Sequence, residues 1–590
     1  MKDFFKHVFS SMLGFFMGLV LIFLLFLIII VASSSGEHDE LQSGSVLHIK
    51  LDKVITDRGN DFAQELDIPV FGTPGMTGLD HFIADIDKAS RDERIEGIFL
   101  DVEGVAAAPS AMLDIRRALV KFKESGKWIV AFSENYSLGG YYVCSTADEI
   151  HVYPEGNLEF YGMSAELMFF KNLLDNLEID IQVLRGPDNK YKSAVEPFMY
   201  DHISEANREQ LDALLGDIWS QLLSDVSVSR GIPVGELQRI ADSLIVVSPA
   251  DAVTHKLADR ASYRDEVIKI MQDRLGLESD DDIPSISLAD YHREVVPEEE
   301  TADWKAGRVA VVYAIGEIQS GEGDDQTIGS KRIARALREA REDDDVKAIV
   351  LRVNSPGGSA LASDVIWRET ELIRQDSIPF VVSMGDLAAS GGYYISCGAD
   401  KIYANPNTIT GSIGVFGMLP NFQGFYENKI GLTHDYVNTA ENADLWSVAK
   451  PLNDMQHQAV ETSIHGIYNR FISLVADGRG MTIEEVDAIA QGRVWSGSDA
   501  IEIGLVDELG DLQDAIEAAA AMAGLDEYRT KDLPELIDPF QEMVKELMGE
   551  AALKQEFGHS AELIEKIKQV EHILSLQGVQ ARLPFFIEFK

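Results

Sequence analysis

The stretch LAASGGYY, residues 387–394, has a counterpart in GGYY at residues 139–142, and the two stand in matching frames. The second copy carries Ser390 immediately before its Gly-Gly pair, whereas Leu138 stands at the same place in the first copy. Long-period self-similarity of this kind indicates that one fold has been repeated along the chain. The sequence therefore predicts a tandem duplication whose two copies have diverged in chemistry.

Further pairs of segments extend the repeat, in the same order and always about 250 residues apart. The pairs are 98–104 with 349–355, 139–150 with 391–402, Pro154 and Gly162 with Pro406 and Gly414, Pro197 with Pro451, and 247–259 with 495–507. Two unrelated domains would not preserve this order. We therefore predict a first repeat at 46–295 and a second at 305–530.

Each repeat alternates short β-branched runs with segments of helical periodicity. In the second repeat, 308–316, 346–354 and 378–385 are interpreted as buried strands, and 330–344 is interpreted as a helix. Strands that alternate with helices form parallel βαβ units, with the helices packed on the sheet faces. The sequence therefore predicts an α/β fold in both halves of the chain.

Residues 12–32 form an uncharged run of 21 residues. At about 1.5 Å per residue, a helix of this length spans roughly 31 Å, the thickness of a hydrocarbon core. Lys2 and Lys6 precede the run, so the positive-inside rule predicts a cytoplasmic N-terminus (1–11) and an exported body. A cleaved signal peptide, the alternative, has a shorter apolar core of about 7 to 15 residues. We therefore expect an uncleaved transmembrane helix.

The net charge of −47 argues against nucleic acid or an anionic membrane surface as the main partner. An acidic surface favours solubility of the exported body instead. The chain has two cysteines, Cys144 and Cys397, which miss alignment in the repeat by one position. Two cysteines in a chain of 590 residues do not make a disulfide framework, so both are interpreted as buried small residues.

The segments outside the repeats have a different character. Residues 279–284 and 295–307 are acidic, contain proline and lack periodicity, which is typical of a linker. The repeat stops after about residue 530, and we interpret 531–590 as a helical tail for packing or oligomerisation. Its helical stretches are 539–558 and 561–577, and 583–589 is a candidate strand.

Ser390 follows a predicted strand and opens a predicted helix at 389–399, where unpaired amides create a positive field. The amide of Gly391 could donate to an oxyanion. The alternative is a serine that caps a helix, followed by glycines that allow tight packing. The motif alone leaves the catalytic and the structural interpretations equally open.

RVNSPGGS (352–359) ends another predicted strand with a turn, and its consecutive glycines can aim N–H groups into a cleft, as an oxyanion hole requires. The first repeat has Ala106 and Ala107 where the second has Gly357 and Gly358. An ordinary βα loop is the alternative. It is weakened because the glycines and Ser390 occur in the same half.

Lys192 lies in YKSAVEPF (191–198) of the first repeat, and Trp446 stands at the aligned place in the second. A lone lysine is usually a solvated surface charge. Lys192 differs through the apolar residues that follow it and through the comparison of the copies. To act as a base it must be neutral near neutral pH, which requires burial to lower a pKa of about 10.4. Because the duplication is fused, we expect Lys192 to reach Ser390 within one chain.

The sequence contains no G-x-S-x-G, H-E-x-x-H or phosphate-loop motif and no cluster of Cys and His. It therefore predicts no metal and no cofactor. A candidate serine nucleophile without a credible histidine points to Ser-Lys chemistry.

LAASGGYY, RVNSPGGS and YKSAVEPF, on a duplication with a predicted anchor, together resemble the long form of the signal peptide peptidase A family, from the anchor to about residue 510. The resemblance implies a Clp/crotonase-like fold, a serine peptidase that degrades cleaved signal peptides, and a body on the periplasmic side of a bacterial inner membrane. It also implies a bowl-shaped homo-oligomer with its active sites inside. The implied site consists of the nucleophile Ser390, the general base Lys192, and the oxyanion glycines Gly357, Gly358 and Gly391.

Two other functions remain open at the level of sequence. A crotonase-type enzyme acting on acyl-CoA could use similar glycine amides, but it would not need an anchor and an exported body. A catalytically silent membrane scaffold, built from the duplication for oligomerisation, is the alternative that is not an enzyme. Labelling of Ser390 by a fluorophosphonate would distinguish the peptidase from both.

Overall fold

The computed structural model describes residues 41–59, 76–102, 104–185, 189–278, 281–295, 306–537 and 578–582, together with residues 14, 15, 17, 18 and 21. Among these residues, no helix combines the length and the apolar character needed to cross a bilayer. Most of the predicted anchor (12–32) lies outside the described residues. The predicted tail helices at 539–558 and 561–577 and the candidate strand at 583–589 lie wholly outside them.

The first half of the chain alternates strands with helices, as its sequence pattern predicts. Its strands are β1 (Ser45–Lys50), β2 (Val54–Thr56), β3 (Met76–Gly78), β4 (Ile95–Asp101), β5 (Trp128–Tyr136), β6 (Glu149–Leu158), β7 (Asp180–Arg185), β8 (Arg260–Ala261) and β9 (Ser285–Ser287). Its helices are α1 (Leu79–Arg91), α2 (Pro109–Glu124), α3 (Leu138–Cys144), α4 (Lys171–Leu177), α5 (Glu196–Met199), α6 (Glu205–Arg230), α7 (Val234–Asp242), α8 (Pro249–Thr254), α9 (Arg264–Leu275) and α10 (Leu288–His292), with a 3₁₀ turn at Ser193–Val195.

The second half repeats this alternation. Its strands are β10 (Gly307–Ile315), β11 (Glu317–Gln319), β12 (Thr327–Gly329), β13 (Val346–Ser355), β14 (Gly357–Ser359), β15 (Phe380–Ala389), β16 (Lys401–Ala404), β17 (Ile409–Gly411), β18 (Phe416–Asn421), β19 (Val494–Ser496), β20 (Glu508–Leu509) and β21 (Tyr528–Leu533). Its helices are α11 (Ser330–Glu342), α12 (Ala360–Gln375), α13 (Gly391–Ser396), α14 (Asp454–Arg479), α15 (Ile483–Ile489), α16 (Gly497–Glu502) and α17 (Leu512–Met522), with a π turn at Phe425–Ile430. The tail adds β22 (Gly578–Arg582).

The duplication is visible in the order of the strands. The first sheet runs β8-β6-β5-β4-β1-β9, with every pair parallel. In the second sheet β20, β16, β15, β13, β10 and β21 are neighbours in that same order and are also parallel. Each strand of the first sheet therefore has an equivalent in the second sheet, and the predicted parallel α/β repeat is confirmed.

Each half buries its own hydrophobic core, because uninterrupted apolar strands are covered by helices. Members of the first core include Leu47, Ile98, Ile129 and Tyr141, and members of the second include Ala310, Leu351, Val382 and Tyr393. Cys144 and Cys397 are free thiols buried in these two cores, as predicted.

A third sheet connects the halves and the tail, in the order β12-β11-β14-β22-β18-β7. β7 of the first half pairs antiparallel with β18 of the second over six residues. β22 lies between β14 and β18 and pairs antiparallel with both. This sheet brings the segment that follows β7 close to the carboxyl ends of β13 and β15, which is where ligand sites form in parallel sheets.

Candidate active site

Ser390 lies between the end of β15 and the start of α13 and is fully buried. Its backbone has φ 56° and ψ −110°, a conformation that costs a residue with a side chain about 1–3 kcal/mol. The conformation is held by its amide, which donates to Gly411 O at 2.7 Å, and by its carbonyl, which accepts from the Tyr394 amide at 2.8 Å.

The serine side chain does not cap the helix, so that part of the structural alternative raised by the sequence does not apply. The helix begins two residues later than predicted, at Gly391, and the Ser390 side chain makes no capping hydrogen bond. In the first copy, Ser137 caps α3 by accepting from the Gly140 amide at 3.2 Å. Apart from a long contact of 3.5 Å with the Gly414 carbonyl, the Ser390 hydroxyl is left to interact with another side chain.

That side chain is Lys192, whose Nζ lies 2.8 Å from Ser390 Oγ. The same nitrogen lies 2.9 Å from Ser412 Oγ and 3.0 Å from the Ser412 carbonyl. A neutral amine has two N–H groups and one lone pair. The carbonyl can only accept, so the two N–H groups can both be given to Ser412. The lone pair is then left for the Ser390 hydroxyl.

Burial lowers the pKa of Lys192 well below its ordinary value of 10.5. The residue is fully buried, and among the described residues no carboxylate forms an ion pair with it. Desolvation therefore acts against the ammonium without a compensating charge. The geometry and the electrostatics both favour the free base.

The Lys192 segment is held by residues from both halves. The Tyr191 amide donates to Gln491 O at 3.0 Å. Gln210 of α6 donates to the Tyr191 carbonyl at 3.2 Å and to Ser193 Oγ at 2.9 Å. Gly492 packs against the lysine itself, since a Cβ at that position would lie 2.5 Å from Lys192 Cβ.

The predicted oxyanion glycines lie beside Ser390, although their local structure differs from the predicted turn. β13 continues to Ser355, and after Pro356 the chain forms β14, which begins at Gly357. The Gly357 amide donates to Ser355 Oγ at 3.1 Å, and Gly358 pairs with β11. The Gly391 amide belongs to the first turn of α13, where amides lack partners within the helix.

The close approach of α13 to the end of β13 depends on Gly392. A Cβ there would lie 2.9 Å from the Ser355 carbonyl oxygen. The second glycine of the motif thus brings the start of the helix, with the Gly391 amide, against the segment that carries Gly357.

The residues that the repeat aligns with the predicted site residues lie in different surroundings. Trp446, aligned with Lys192, is 56% exposed. Leu138, aligned with Ser390, is buried in the first core. The carbonyl of Ala106 accepts from the Ile55 amide at 3.0 Å. The sequence pattern did not indicate Ser412, which lies in the segment TGSIG (410–414), where no motif is recognisable.

The chain matches a family model and several known proteins. A family model described as Peptidase family S49 matches residues 121–278 and 373–526, once in each half. Protease 4 of Salmonella typhi is 38% identical over 540 residues, which cover 88% of this chain and 86% of that protein. The chloroplastic serine protease SPPA of Arabidopsis thaliana is 32% identical, over 92% of this chain and 78% of that protein. A putative signal peptide peptidase SppA of Enterococcus faecium is 38% identical over 31% of this chain and 53% of that protein.

The duplicated fold and these relatives define the chain as a serine peptidase. It belongs to Peptidase family S49, as the resemblance in the sequence led us to expect.

We predict that Gly492→Ala impairs the peptidase by displacing Lys192. Gly492 has φ 80°, and a Cβ there would also lie 2.8 Å from Lys192 Cδ. Gly480→Ala is the matched control, because Gly480 has φ 65° and no atom within 4 Å of its Cβ position. Peptide hydrolysis should fall at least tenfold in Gly492→Ala and remain near wild type in Gly480→Ala. Equal activity of the two variants would contradict the packing role of Gly492.

A second prediction concerns the pH dependence of stability. The depressed pKa means that the unfolded chain binds a proton at Lys192 that the folded chain does not, so folding gains stability as pH rises toward 10.5. The free energy of unfolding of the wild type, relative to Lys192→Met, should rise with pH by up to about 1.4 kcal/mol per unit. Denaturant unfolding at pH 7 and pH 9 measures it. A constant difference between the two proteins would show that Lys192 is charged in the folded state.

Proposed function

We propose that Ser390 is the nucleophile and neutral Lys192 the general base of this serine peptidase, and that its substrates are apolar peptides such as cleaved signal peptides. The observation that carries the proposal is the 2.8 Å separation of Lys192 Nζ and Ser390 Oγ, both in fully buried side chains, with no carboxylate paired to the lysine among the described residues. A lysine from one half and a serine from the other meet within a single chain.

The reaction begins when the Lys192 lone pair accepts the proton of the Ser390 hydroxyl and Ser390 Oγ attacks the peptide carbonyl. Ser412 holds the lysine in place through both N–H groups, so the lone pair does not rotate away from Ser390. The resulting ammonium then gives its proton to the leaving amine. In the second stage the same lysine activates water to hydrolyse the acyl-enzyme.

The negative charge on the tetrahedral oxygen requires amide donors close to Ser390. The Gly391 amide is suited to this role because it directly follows the nucleophile and belongs to the first turn of α13. The second donor is an amide of Gly357 or Gly358. For Gly357 this means exchanging its hydrogen bond to Ser355 Oγ for one to the oxyanion.

The groove between β14 and β18 is suited to an extended peptide. β22 lies there in antiparallel pairing with both strands, with Gln580 opposite Ser359 on one side and Phe416 on the other. A substrate that adds a strand at this place gains main-chain hydrogen bonds on both edges and passes beside Gly357. This arrangement supports a peptide substrate and disfavours an acyl-CoA thioester.

A small apolar cluster lies at β18 and its neighbour β7. Val195, Phe416 and Met418 form a buried cluster with partly buried Ile181 and Val183. An apolar wall favours the hydrophobic segment of a signal peptide over a charged peptide. The S. typhi and E. faecium relatives, named as a protease and a signal peptide peptidase, point the same way.

The predicted anchor at 12–32 would hold the peptidase at the membrane that releases such peptides, with the body on the periplasmic side. A homo-oligomer with inward-facing sites is part of the same proposal and rests on the family resemblance. Both features fit a peptidase that handles short apolar remnants at a membrane surface.

The central test removes each catalytic group in turn. Ser390→Ala should lower peptide hydrolysis by several orders of magnitude, because it removes the atom that forms the acyl-enzyme. Fluorophosphonate labelling should disappear in the same variant. A silent scaffold would show neither hydrolysis nor labelling in the wild type, which would refute the proposal.

Lys192→Arg should be as inactive as Lys192→Ala, because a guanidinium stays protonated at any accessible pH. In the wild type, kcat/KM should rise with pH through the depressed pKa of Lys192 and then level off. An active Lys192→Arg enzyme would remove the lysine from the mechanism and leave Ser390 in place.

The tail strand leads to a separate prediction. Because β22 occupies the groove, a substrate has to displace it. Gln580→Pro should weaken β22, since proline removes an amide from a strand that pairs on both sides. The KM for a fluorogenic apolar peptide should fall severalfold at unchanged kcat, whereas Gln580→Ala should behave as wild type. Identical KM values for all three proteins would show that the tail does not compete with substrate.

A further inference from the structure

A buried polar cluster joins the two halves directly behind the glycines of β14. It consists of Asp57, which follows β2 in the first half, and Arg352, Asn354 and Asp386 of the second half. Arg352 donates through Nε and Nη2 to Asp57 Oδ1 at 2.9 and 2.6 Å. The two side chains are 3% exposed. Arg352 Nη1 also donates to Ser383 Oγ at 2.9 Å and to the Met384 carbonyl at 3.1 Å, so the guanidinium is fixed on every edge.

Asn354 stands at an irregularity between the strands that lead to the active site. In the pairing of β13 with β15, Val353 lies opposite Met384, but Ser355 lies opposite Ala388. Asn354 therefore faces three residues, 385–387, where a regular ladder would place one. Its side-chain Oδ1 accepts from the Leu387 amide at 3.1 Å and replaces the missing ladder bond. A bulge of this kind redirects the chain next to a site.

The orientation of the Asn354 amide is set from the other half. Its Nδ2 donates to Asp57 Oδ2 and, at 3.2 Å, to Asp386 Oδ2. Two carboxylate acceptors on one side force the amide oxygen to the other side, toward Leu387. Asp386 is tied to the first half as well, since its Oδ1 accepts from the Ala111 amide of α2 at 3.0 Å.

The two strands tied by Asn354 lead to the glycine amides and to the nucleophile. On β13, Asn354 is followed by Ser355, whose hydroxyl accepts from the Gly357 amide. On β15, Leu387 is followed three residues later by Ser390. The side chain of Asn354 thus fixes the distance between the glycine amides and the nucleophile, and an error of about 1 Å there can cost about a hundredfold in rate.

Stability alone gives little reason to bury this cluster. An ion pair taken out of water gains little over apolar side chains of similar size. Burial also raises the pKa of Asp386 to about 6, a sign of how poorly the site solvates charge. A fully hydrogen-bonded network of this kind holds the strands that it connects in a single, rigid arrangement.

We propose that Asp57 and Asn354 are positioning residues of the peptidase reaction, through which the first half sets the placement of the oxyanion glycines against Ser390. The proposal rests on the proposed Ser-Lys function. It gives the first half a second contribution to the site, besides Lys192, and it concerns residues that touch no substrate.

The test compares Asn354→Ala with Asn405→Ala. Asn405 is also fully buried and also bonds to the first half, through Nδ2 to Ser110 Oγ at 2.9 Å and to Asp114 Oδ1 at 2.8 Å, but it holds neither β14 nor Ser390. Both variants should lose thermal stability. Only Asn354→Ala should lose kcat, by at least tenfold, with KM within about twofold, because oxyanion donors act in the transition state. Its affinity for a peptide aldehyde, which forms a tetrahedral adduct, should fall in parallel.

A charge-preserving exchange tests the pair directly. Asn354→Asp places a third carboxylate against Asp57 and Asp386 and should be nearly inactive. Adding Asp57→Asn again pairs an amide with a carboxylate, with the two groups exchanged between the positions. The kcat of this double variant should be at least tenfold higher than that of Asn354→Asp alone. Asp57→Asn alone keeps the shape of the site and should lower kcat at unchanged KM. It replaces Asn354→Ala in the test if that variant does not fold.

Two results would overturn the proposal. One is a kcat for Asn354→Ala, or for Asp57→Asn where the former does not fold, equal to that of Asn405→Ala. The other is a loss that appears in KM alone, with aldehyde affinity unchanged. Failure of the Ser-Lys function would look different, because Ser390→Ala would then remain active and fluorophosphonate would not label the wild type.

Discussion

The site depends on one costly interaction, the burial of the Lys192 amine with no carboxylate paired to it among the described residues. As long as its pKa stays above the ambient pH, each unit by which burial lowers that pKa costs about 1.4 kcal/mol of folding free energy. A carboxylate beside the amine would remove that cost and would also restore the charge, which would prevent the proposed role as a base. The protein surrounds Nζ with Ser412 and Ser390 instead, groups that hydrogen-bond to a neutral amine but do not stabilise an ammonium as an acid would.

The duplication explains how the fold tolerates this loss of folding free energy. Ser390 and Lys192 come from different halves, so neither half has to bear both the strained backbone of the serine and the buried amine. The pairing of β7 with β18 in the third sheet brings the segment that carries Lys192 to Ser390. The first copy has no serine at the position of Ser390 and has an ordinary cap at Ser137 and a core leucine at 138.

Much of the fold could be predicted from the sequence, and the proposed reacting groups differ visibly between the two copies. The strand runs at 308–316 and 346–354 match β10 and β13, and the differences at Ser390 and Lys192 stand out against Leu138 and Trp446. Membership of the S49 family and the serine peptidase activity agree with these motifs. The roles of the individual residues remain predictions that the experiments above address.

The rest depends on tertiary contacts, which leave no local pattern. Ser412 is one serine among many, and its role follows only from where the Lys192 segment crosses it. Gly492 looks like any turn glycine until Lys192 is packed on it. The helix predicted from 389 begins at Gly391 because the backbone of Ser390 adopts a conformation that no propensity favours.

The same reasoning explains why supporting residues such as Asp57 escape a motif search. A nucleophile needs a particular atom at a particular place, so its residue type is constrained wherever the chemistry occurs. A positioning residue needs only to bond to its neighbours, and its identity has meaning only together with theirs. Asp57 is informative because Arg352 and Asn354 face it from the other half. In a duplicated enzyme the interface between copies is therefore the place to look for residues that tune the chemistry without touching the substrate.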